Sequence, residues 1–352
     1  MIRVLVAEDS TTTRQLLVSI LQEDPEIQVV GEAKNGLEAV EQTRKLQPDV
    51  VAMDIEMPEM NGFEATKRIM VENPTPIVII SSSRNVREVE VALQALKAGA
   101  LTVFKKPTGP GTAEGEEERK KFISMLKAMS QVKVVRHWPE RYQINDSQTP
   151  QKFHGKITEG MRGRLVAIAA STGGPAALNR IFSELPGNFP APILVVQHMA
   201  KGFMDGCASW MNGNSSLHIK VAEDGETLMS GTVYLAGDDR HLGVSDRSTL
   251  YYSQADPIGS FRPSGTYLFE SVAKAYGPSA LALVLTGMGS DGVAGLKAVK
   301  EAGGWIMAQD QDSSVIFGMP GEAIKTGYTD LILSLAEIAP RLMEMFPLGA
   351  KK

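Results

Sequence analysis

Leu165-Val166-Ala167-Ile168-Ala169-Ala170-Ser171-Thr172-Gly173-Gly174-Pro175 decides the fold of the larger part of this chain. An apolar run closes in one hydroxyl and then Gly-Gly-Pro, which predicts a strand, a tight turn and a helix start. Gly173 and Gly174 let the backbone turn without Cβ clashes, and Pro175 suits a first helical turn, where its missing N–H is no loss. Ser171 is then left at the carboxyl end of a strand, facing a helix N-terminus. Free N–H groups and the positive dipole end there stabilise an oxyanion, so the position suits a nucleophile attacking a carbonyl. The plainer alternative is a serine that merely caps the helix.

Apolar runs at Ile193–Val196, Val233–Ala236, Ala280–Leu285, Trp305–Ala308 and Leu331–Leu333 continue the pattern. Such alternation predicts a doubly wound parallel α/β sheet, whose ligands bind beyond the carboxyl ends of its strands. Three runs end in candidate chemistry: Ser171, His198 after Val195-Val196-Gln197, and Asp291 within Thr286-Gly287-Met288-Gly289-Ser290-Asp291-Gly292. In one crevice His198 takes the Ser171 proton, while Asp291 orients the ring and stabilises the imidazolium. The chain order, serine then histidine then aspartate around Ser-Thr-Gly-Gly, is not that of α/β-hydrolases, so the scaffold is a different one, expected as a Rossmann-like doubly wound sheet. Gly287 and Gly289 leave the Met288 backbone open, and its N–H with that of Thr172 forms the expected oxyanion hole. Gly287–Ser290 read as a phosphate cradle lacks the P-loop lysine. His241, in Asp238-Asp239-Arg240-His241, is the rival base, although that cluster also reads as a solvated turn, and His218 reads as a surface strand residue.

Before this unit, residues 1–107 show five further β/α alternations, with apolar runs at Ile2–Ala7, Ile27–Ala33, Val50–Met53, Ile77–Ile80 and Leu101–Phe104. Their ends carry Glu8 and Asp9, Asp54, Ser81 and Lys106. Three carboxylates meeting at one edge repel one another, but hard oxygen ligands are what Mg²⁺ takes. With a metal and Lys106 balancing charge, Asp54 can attack a phosphoryl group and hold it as an acyl phosphate. Singly, each acid also reads as a helix cap or solvated turn residue.

Residues 108–160 form the expected connector. Glu114–Glu118 before Arg119-Lys120-Lys121 matches a helix dipole, and Phe122, Leu126, Met129 and Val132 give that helix one apolar stripe. From His137 to Gly160 the sequence is polar and without period, so it reads as flexible. The 352 residues exceed one ordinary core, and the net charge of −5 gives no reason to expect a nucleic-acid partner. Cys207 is the only cysteine, which excludes an internal disulfide and fits a reducing compartment. The first apolar run turns acidic at Glu8, too soon for a signal peptide, and no run reaches the ~18 to 20 apolar residues of a membrane span. These features predict a soluble, cytoplasmic protein.

Glu8-Asp9, Asp54 followed by Met57-Pro58 and Gly62, Ser81 and Lys106-Pro107 resemble the receiver domain of bacterial response regulators. The resemblance implies a flavodoxin-like fold in which Asp54 accepts phosphate from a histidine kinase. It also implies that Glu8, Asp9 and Asp54 hold Mg²⁺ and that Ser81 and Lys106 read the phosphorylated state. Ala170-Ser171-Thr172-Gly173-Gly174-Pro175, Gln197-His198-Met199, the Thr286–Gly292 segment, Ala308-Gln309-Asp310 and Gly318-Met319-Pro320 resemble the chemotaxis protein-glutamate methylesterases. That implies Ser171 as nucleophile, His198 as base and Asp291 as orienting acid in residues 161–348. It implies, too, hydrolysis of glutamyl methyl esters on the cytoplasmic helices of chemoreceptors, with methanol released and glutamines sometimes deamidated, and no cofactor in that domain. Departures at Ala200, Gly237-Asp238 and Gly265-Thr266 are expected near the substrate mouth and off the triad. The competing function is a non-enzymatic output module that binds a partner or ligand at the Ser171 turn.

Overall fold

The computed structural model describes residues 1–81, 86–107, 113–132, 134, 165–245 and 249–347. The first unit runs β1 (Ile2–Ala7), α1 (Thr11–Gln22), β2 (Ile27–Ala33), α2 (Gly36–Leu46) and β3 (Val50–Asp54). It continues through α3 (Gly62–Glu72), β4 (Ile77–Ser81), α4 (Val86–Lys97), β5 (Thr102–Lys105) and α5 (Ala113–Met129). Its five strands are parallel in the order β2-β1-β3-β4-β5. The central strands β3 and β4 are buried on both faces, which is why Val50–Met53 and Ile77–Ile80 are uninterrupted apolar runs rather than alternating ones. Strand order reverses between β1 and β3, so the carboxyl ends that carry Glu8 and Asp54 are neighbours.

The helix read from sequence as part of the connector is α5, and it covers this sheet. Phe122, Leu126 and Met129 are fully buried against Val4, Val6, Val50 and Ile80, with Val132 partly buried beside them. Without that stripe one face of β3 and β4 would be bare to water, at about 1.5 to 3 kcal/mol for each large side chain exposed. α5 and Val132 thus pack on the first unit. The remainder of the expected connector, with His137 and His154, lies outside the described residues.

The second unit begins with β6 (Leu165–Ala170), α6 (Gly174–Glu184), β7 (Ile193–Gln197), α7 (Met204–Asn212), β8 (His218–Val221) and β9 (Thr232–Leu235). Next come β10 (His241–Ser245), β11 (Thr249–Ser253), α8 (Gly265–Tyr276), β12 (Ala280–Val284) and α9 (Val293–Glu301). It ends in β13 (Trp305–Gln309), α10 (Met319–Lys325), β14 (Leu331–Leu333) and α11 (Leu335–Met345). Seven parallel strands lie in the order β14-β13-β12-β6-β7-β9-β8, with β10 and β11 as a separate antiparallel hairpin. The six apolar runs of the sequence all fall on strands of the large sheet. The short edge strand β8 and the hairpin are additions, and neither carries an apolar run long enough to announce itself.

His241 is not in a solvated turn. It opens β10 fully buried, its ring stacked on Tyr267 at 4.6 Å and its Nε2 3.1 Å from the carbonyl oxygen of Asp256. The turn ends one residue earlier, and the aromatic ring of Tyr267 on α8 draws the imidazole under the hairpin. The two units also touch. α4 packs against α6 and α7, with Lys97 Nζ 5.3 Å from the centre of the Trp210 ring. Val315 and Ile316 pack against the apolar cluster of the first unit that contains Leu101 and Phe122. No helix among the described residues is long and apolar enough to cross a membrane.

Candidate functional site

Strand β6 lies between β12 and β7, so three neighbouring strands deliver the three candidate residues. Ala170 pairs with Gln197, and the His198 N–H donates to the Ala170 carbonyl at 2.9 Å. Ser171 and His198 therefore emerge side by side. Asp291 arrives from the other side, in the loop after β12, and its Oδ2 lies 2.8 Å from His198 Nε2. The far face of the imidazole stacks on Phe261, with ring centres 4.3 Å apart and an angle of 11°. His198 Nδ1 is buried and has no hydrogen-bond partner among the described residues.

Asp291 is held at the N-terminus of α8. Ser264 Oγ donates to Oδ1 at 2.6 Å, the Gly265 N–H to Oδ2 at 2.6 Å and the Thr266 N–H to Oδ1 at 3.3 Å. Burial pushes this carboxyl's pKa up, but His198, Ser264 and Gly265 outweigh it and leave the pKa below the usual value, so the group stays a carboxylate. A Cβ on residue 265 would stand 2.7 Å from Ala169 Cβ and 3.3 Å from Asp291 Oδ2, a close approach that glycine permits. The expectation that the Gly265-Thr266 departure stays off the triad is thus corrected: these residues grip Asp291 directly. Gly237 stands apart, its N–H donating to Tyr252 Oη at 2.8 Å, and Asp238 accepts the Gly202 N–H at 2.6 Å beyond the partly buried Ala200.

Ser171 does not cap its helix. The N-cap of α6 is Gly173, at φ +78° and ψ −10°, with no side-chain cap bond. The Gly174 N–H returns to the Ser171 carbonyl at 2.8 Å, which with the Gly173 angles makes residues 171–174 a type II turn. Gln197 Nε2 also donates to the Ser171 carbonyl, at 2.9 Å, and to the His198 carbonyl at 2.7 Å, tying the two chain ends together. Because the Ser171 carbonyl is taken on that side, the planar trans peptide points the Thr172 N–H the opposite way. The Gly287 carbonyl is likewise taken by the Gly318 and Met319 N–H groups at 3.1 and 2.8 Å, which turns the Met288 N–H outward. Among the described residues neither N–H has a hydrogen-bond acceptor. Gly287 lies so close that a Cβ there would meet Ser171 Cβ at 2.7 Å. Met288 itself is 38% exposed at the mouth of this cleft.

Gln197, Ser264, Phe261, Thr286 and Gln309 were not legible as site residues from sequence. The available signal was polarity at the end of an apolar strand: Gln197 and Gln309 close β7 and β13, both are almost fully buried, and a buried amide has to find partners.

At the carboxyl edge of the first sheet, Lys106 Nζ lies 2.8 Å from Glu8 Oε2 and 3.0 Å from Asp54 Oδ2. Oxygens of Glu8, Asp9 and Asp54 fall within 4.8 Å of one another, Asp9 alone being exposed. Burial pushes the Asp54 carboxyl up to about 7 against the pull of Lys106, and Glu8 adds to the rise. Burial raises Glu8 as well. The Lys106 ammonium is lowered by burial but raised more by Asp54 and Glu8, so it remains charged. Ser81 is buried on the adjacent strand end, where its carbonyl accepts the Lys106 N–H at 2.9 Å. The donor set is all hard oxygen, which fits Mg²⁺.

Residues 166–342 match the family described as CheB methylesterase, and residues 4–113 match the response regulator receiver domain. The chain is 50% identical over 346 residues to protein-glutamate methylesterase/protein-glutamine glutaminase 4 of Myxococcus xanthus, covering 98% of this chain and 97% of that protein. It is 48% identical to protein-glutamate methylesterase/protein-glutamine glutaminase 3 of Anaeromyxobacter dehalogenans, covering 97% and 98%. The crystal structure of the Thermotoga maritima CheB methylesterase catalytic domain superimposes with a TM-score of 0.51 at 41% identity, covering 52% of this chain and 98% of that one.

Proposed function

The chain belongs to the receiver-linked CheB methylesterase family, and on that premise we propose that it hydrolyses glutamate methyl esters on the cytoplasmic helices of chemoreceptors, under the control of a phosphoryl group on Asp54. The observation that carries the reading is the 2.8 Å contact between His198 Nε2 and Asp291 Oδ2, one strand from an uncapped and partly exposed Ser171. With Nε2–H given to the carboxylate, Nδ1 keeps the lone pair and acts as the base. Ser171 Oγ attacks the ester carbonyl carbon as its proton passes to Nδ1. The carbonyl oxygen becomes an oxyanion facing the Thr172 and Met288 N–H groups. His198 returns the proton to the methoxy oxygen, the C–O bond breaks, and methanol leaves an acyl-enzyme. Water then gives a proton to His198, attacks the acyl carbon and releases glutamate with Ser171 restored. An amide follows the same route with ammonia leaving, so glutamine side chains are the second substrate class.

In the receiver, Glu8, Asp9 and Asp54 would hold Mg²⁺, which when bound offsets their charge and that of an incoming phosphoryl group. An Asp54 oxygen takes the phosphoryl group from a phosphohistidine of the kinase, and the freed imidazole nitrogen leaves. Lys106 and the Ser81 hydroxyl then turn to the new phosphoryl oxygens. On this reading the partner is a receptor's cytoplasmic helices, which puts the enzyme's work in the cytoplasm, with no nucleic acid and no insertion into the bilayer called for. Family membership runs against a binding-only second unit. Methanol release from methyl-labelled receptors of the same cell, with and without a phosphodonor, tests chemistry and control together. No release in either case, with Ser171 unlabelled by a serine-directed phosphonate, would return the binding-only reading.

A further inference from the structure

Thr286 sits where three segments meet beside the nucleophile, and all of its polar atoms are used. Its N–H donates to Gln309 Oε1 at 2.9 Å, and its carbonyl accepts the Ser171 N–H at 3.0 Å. Its hydroxyl donates to the Thr172 carbonyl at 2.9 Å, has the Ile316 carbonyl at 3.3 Å as a second acceptor, and accepts the Ile316 N–H at 2.9 Å. The side chain is 1% exposed, so each lost partner would leave a buried polar group unpaired. Gln309 is fixed in turn, its Nε2 donating to the Ser313 carbonyl at 2.7 Å.

In a type II turn the central peptide is free to flip, because the alternative turn type differs mainly in that one plane. The plane here is Thr172–Gly173, and the Thr286 hydroxyl holds its carbonyl. Its neighbours in the chain hold the opposite wall: the Gly287 N–H donates to the Ile316 carbonyl at 3.0 Å, and Gly287 is the residue packed on Ser171. We propose that Thr286 is a positioning residue for the reaction, whose hydroxyl locks the Ser171–Thr172 turn to the Gly287–Met288 loop and so sets the spacing between nucleophile and oxyanion donors. The inference rests on the reading of Ser171 as nucleophile given above. It assigns the hydroxyl, not the residue's bulk, as the active feature. Such a residue contributes to the transition state, where the donors must fall within about 2.7 to 3.1 Å of the oxyanion, and little to ground-state binding.

The test uses the full-length protein with a phosphodonor, a small ester (p-nitrophenyl acetate) and methyl-labelled receptor membranes. Thr286→Val, close in volume but without the hydroxyl, is expected to lower kcat at least ~10-fold with KM changed less than about twofold. Labelling of Ser171 by a phosphonate should slow in parallel. Thr286→Ser, which restores the hydroxyl and drops the methyl, should return kcat to within about threefold of the parent. Thr286→Ala, read in the same way, covers the case in which the valine variant melts below the assay temperature. Full kcat in the valine and alanine variants, or a serine variant as slow as the valine one, would overturn the assignment. Ser171→Ala is run alongside: its inactivity with an active Thr286→Val sinks the positioning role alone, whereas an active Ser171→Ala removes the nucleophile reading beneath it.

Discussion

Asp291 holds His198 by one oxygen, with Oδ2 at 2.8 Å from Nε2, while Ser264 holds Asp291 by the other, with Oγ at 2.6 Å from Oδ1. The ring orientation is therefore fixed two residues deep. Asp291→Asn keeps the shape but presents an amide, which selects the wrong imidazole tautomer, and kcat is expected to fall on the order of 10⁴-fold. Ser264→Ala leaves the Gly265 and Thr266 N–H groups in place and should cost only about 3- to 30-fold. Steady-state kinetics on a small ester decides this. Equal losses in the two variants would mean that Asp291 acts only through α8 and not on the ring.

Ser171→Ala and His198→Ala should each remove nearly all turnover, ~10⁴-fold or more, because the members act as a unit. His241→Ala separates position from chemistry. Its ring is buried on Tyr267 and bonded to the backbone of Asp256, so the variant should lose a few kcal/mol of stability, on the order of a 5 °C fall in Tm, with kcat within about threefold. A kcat loss for His241→Ala as large as that for His198→Ala would exchange their roles.

Most of the architecture was legible because parallel strands buried on both faces announce themselves as apolar runs, and the residue after each run lands on the ligand-binding edge. That rule puts Ser171, His198, Glu8, Asp54 and Lys106 at strand ends and Asp291 in the loop after one, and the structure has them in those places. What escaped it obeys a different physics. Phe261 reaches His198 from a loop before a helix, Ser264 and Gly265 act through a helix N-terminus, and Thr286 works through a hydroxyl bonded to the backbone of two other segments. None of these leaves a periodic mark. Which domain α5 docks on was not legible, because the stripe of Phe122, Leu126 and Met129 says only that some apolar surface must lie opposite.

Asp54 couples the receiver's stability to pH. Its folded-state pKa of about 7 lies above the ordinary 3.8, so between those values the native state binds more protons than the unfolded one. The stabilisation this group contributes is full below about pH 4 and is lost as pH rises through 7. In metal-free protein, Asp54→Asn should therefore gain Tm over the parent as pH goes from 5 to 8.5, by several degrees. Melting curves in EDTA at both pH values measure it. A difference that stayed constant from pH 5 to 8.5 would show Asp54 to be an ordinary low-pKa carboxylate, ionised throughout that window.

Control should run through contacts between the units. Trp210 on α7 lies under Lys97 of α4, and Ile316, which bonds the Thr286 hydroxyl, packs on the apolar cluster of the first unit. A receiver in that position covers ground close to the Ser171 edge, and phosphorylation of Asp54 can shift it only if the two states make different contacts there. Asp54→Ala should thus keep basal methylesterase activity and lose stimulation by a phosphodonor. A truncated chain starting at Gly160 should be active without one, and should gain far more on receptor than on a small ester, since a helical substrate needs the wider opening. Trp210→Ala removes the stacked partner of Lys97 and should raise unphosphorylated full-length activity about 3- to 10-fold while barely changing the truncated chain. Receptor demethylation and small-ester hydrolysis by the parent, the Asp54→Ala variant, the truncated chain and Trp210→Ala in both lengths, measured side by side, decide the matter. If the truncated chain were no faster than the unphosphorylated parent, the receiver would not be an inhibitor, and the phosphoryl group would serve to bring the enzyme to its receptor.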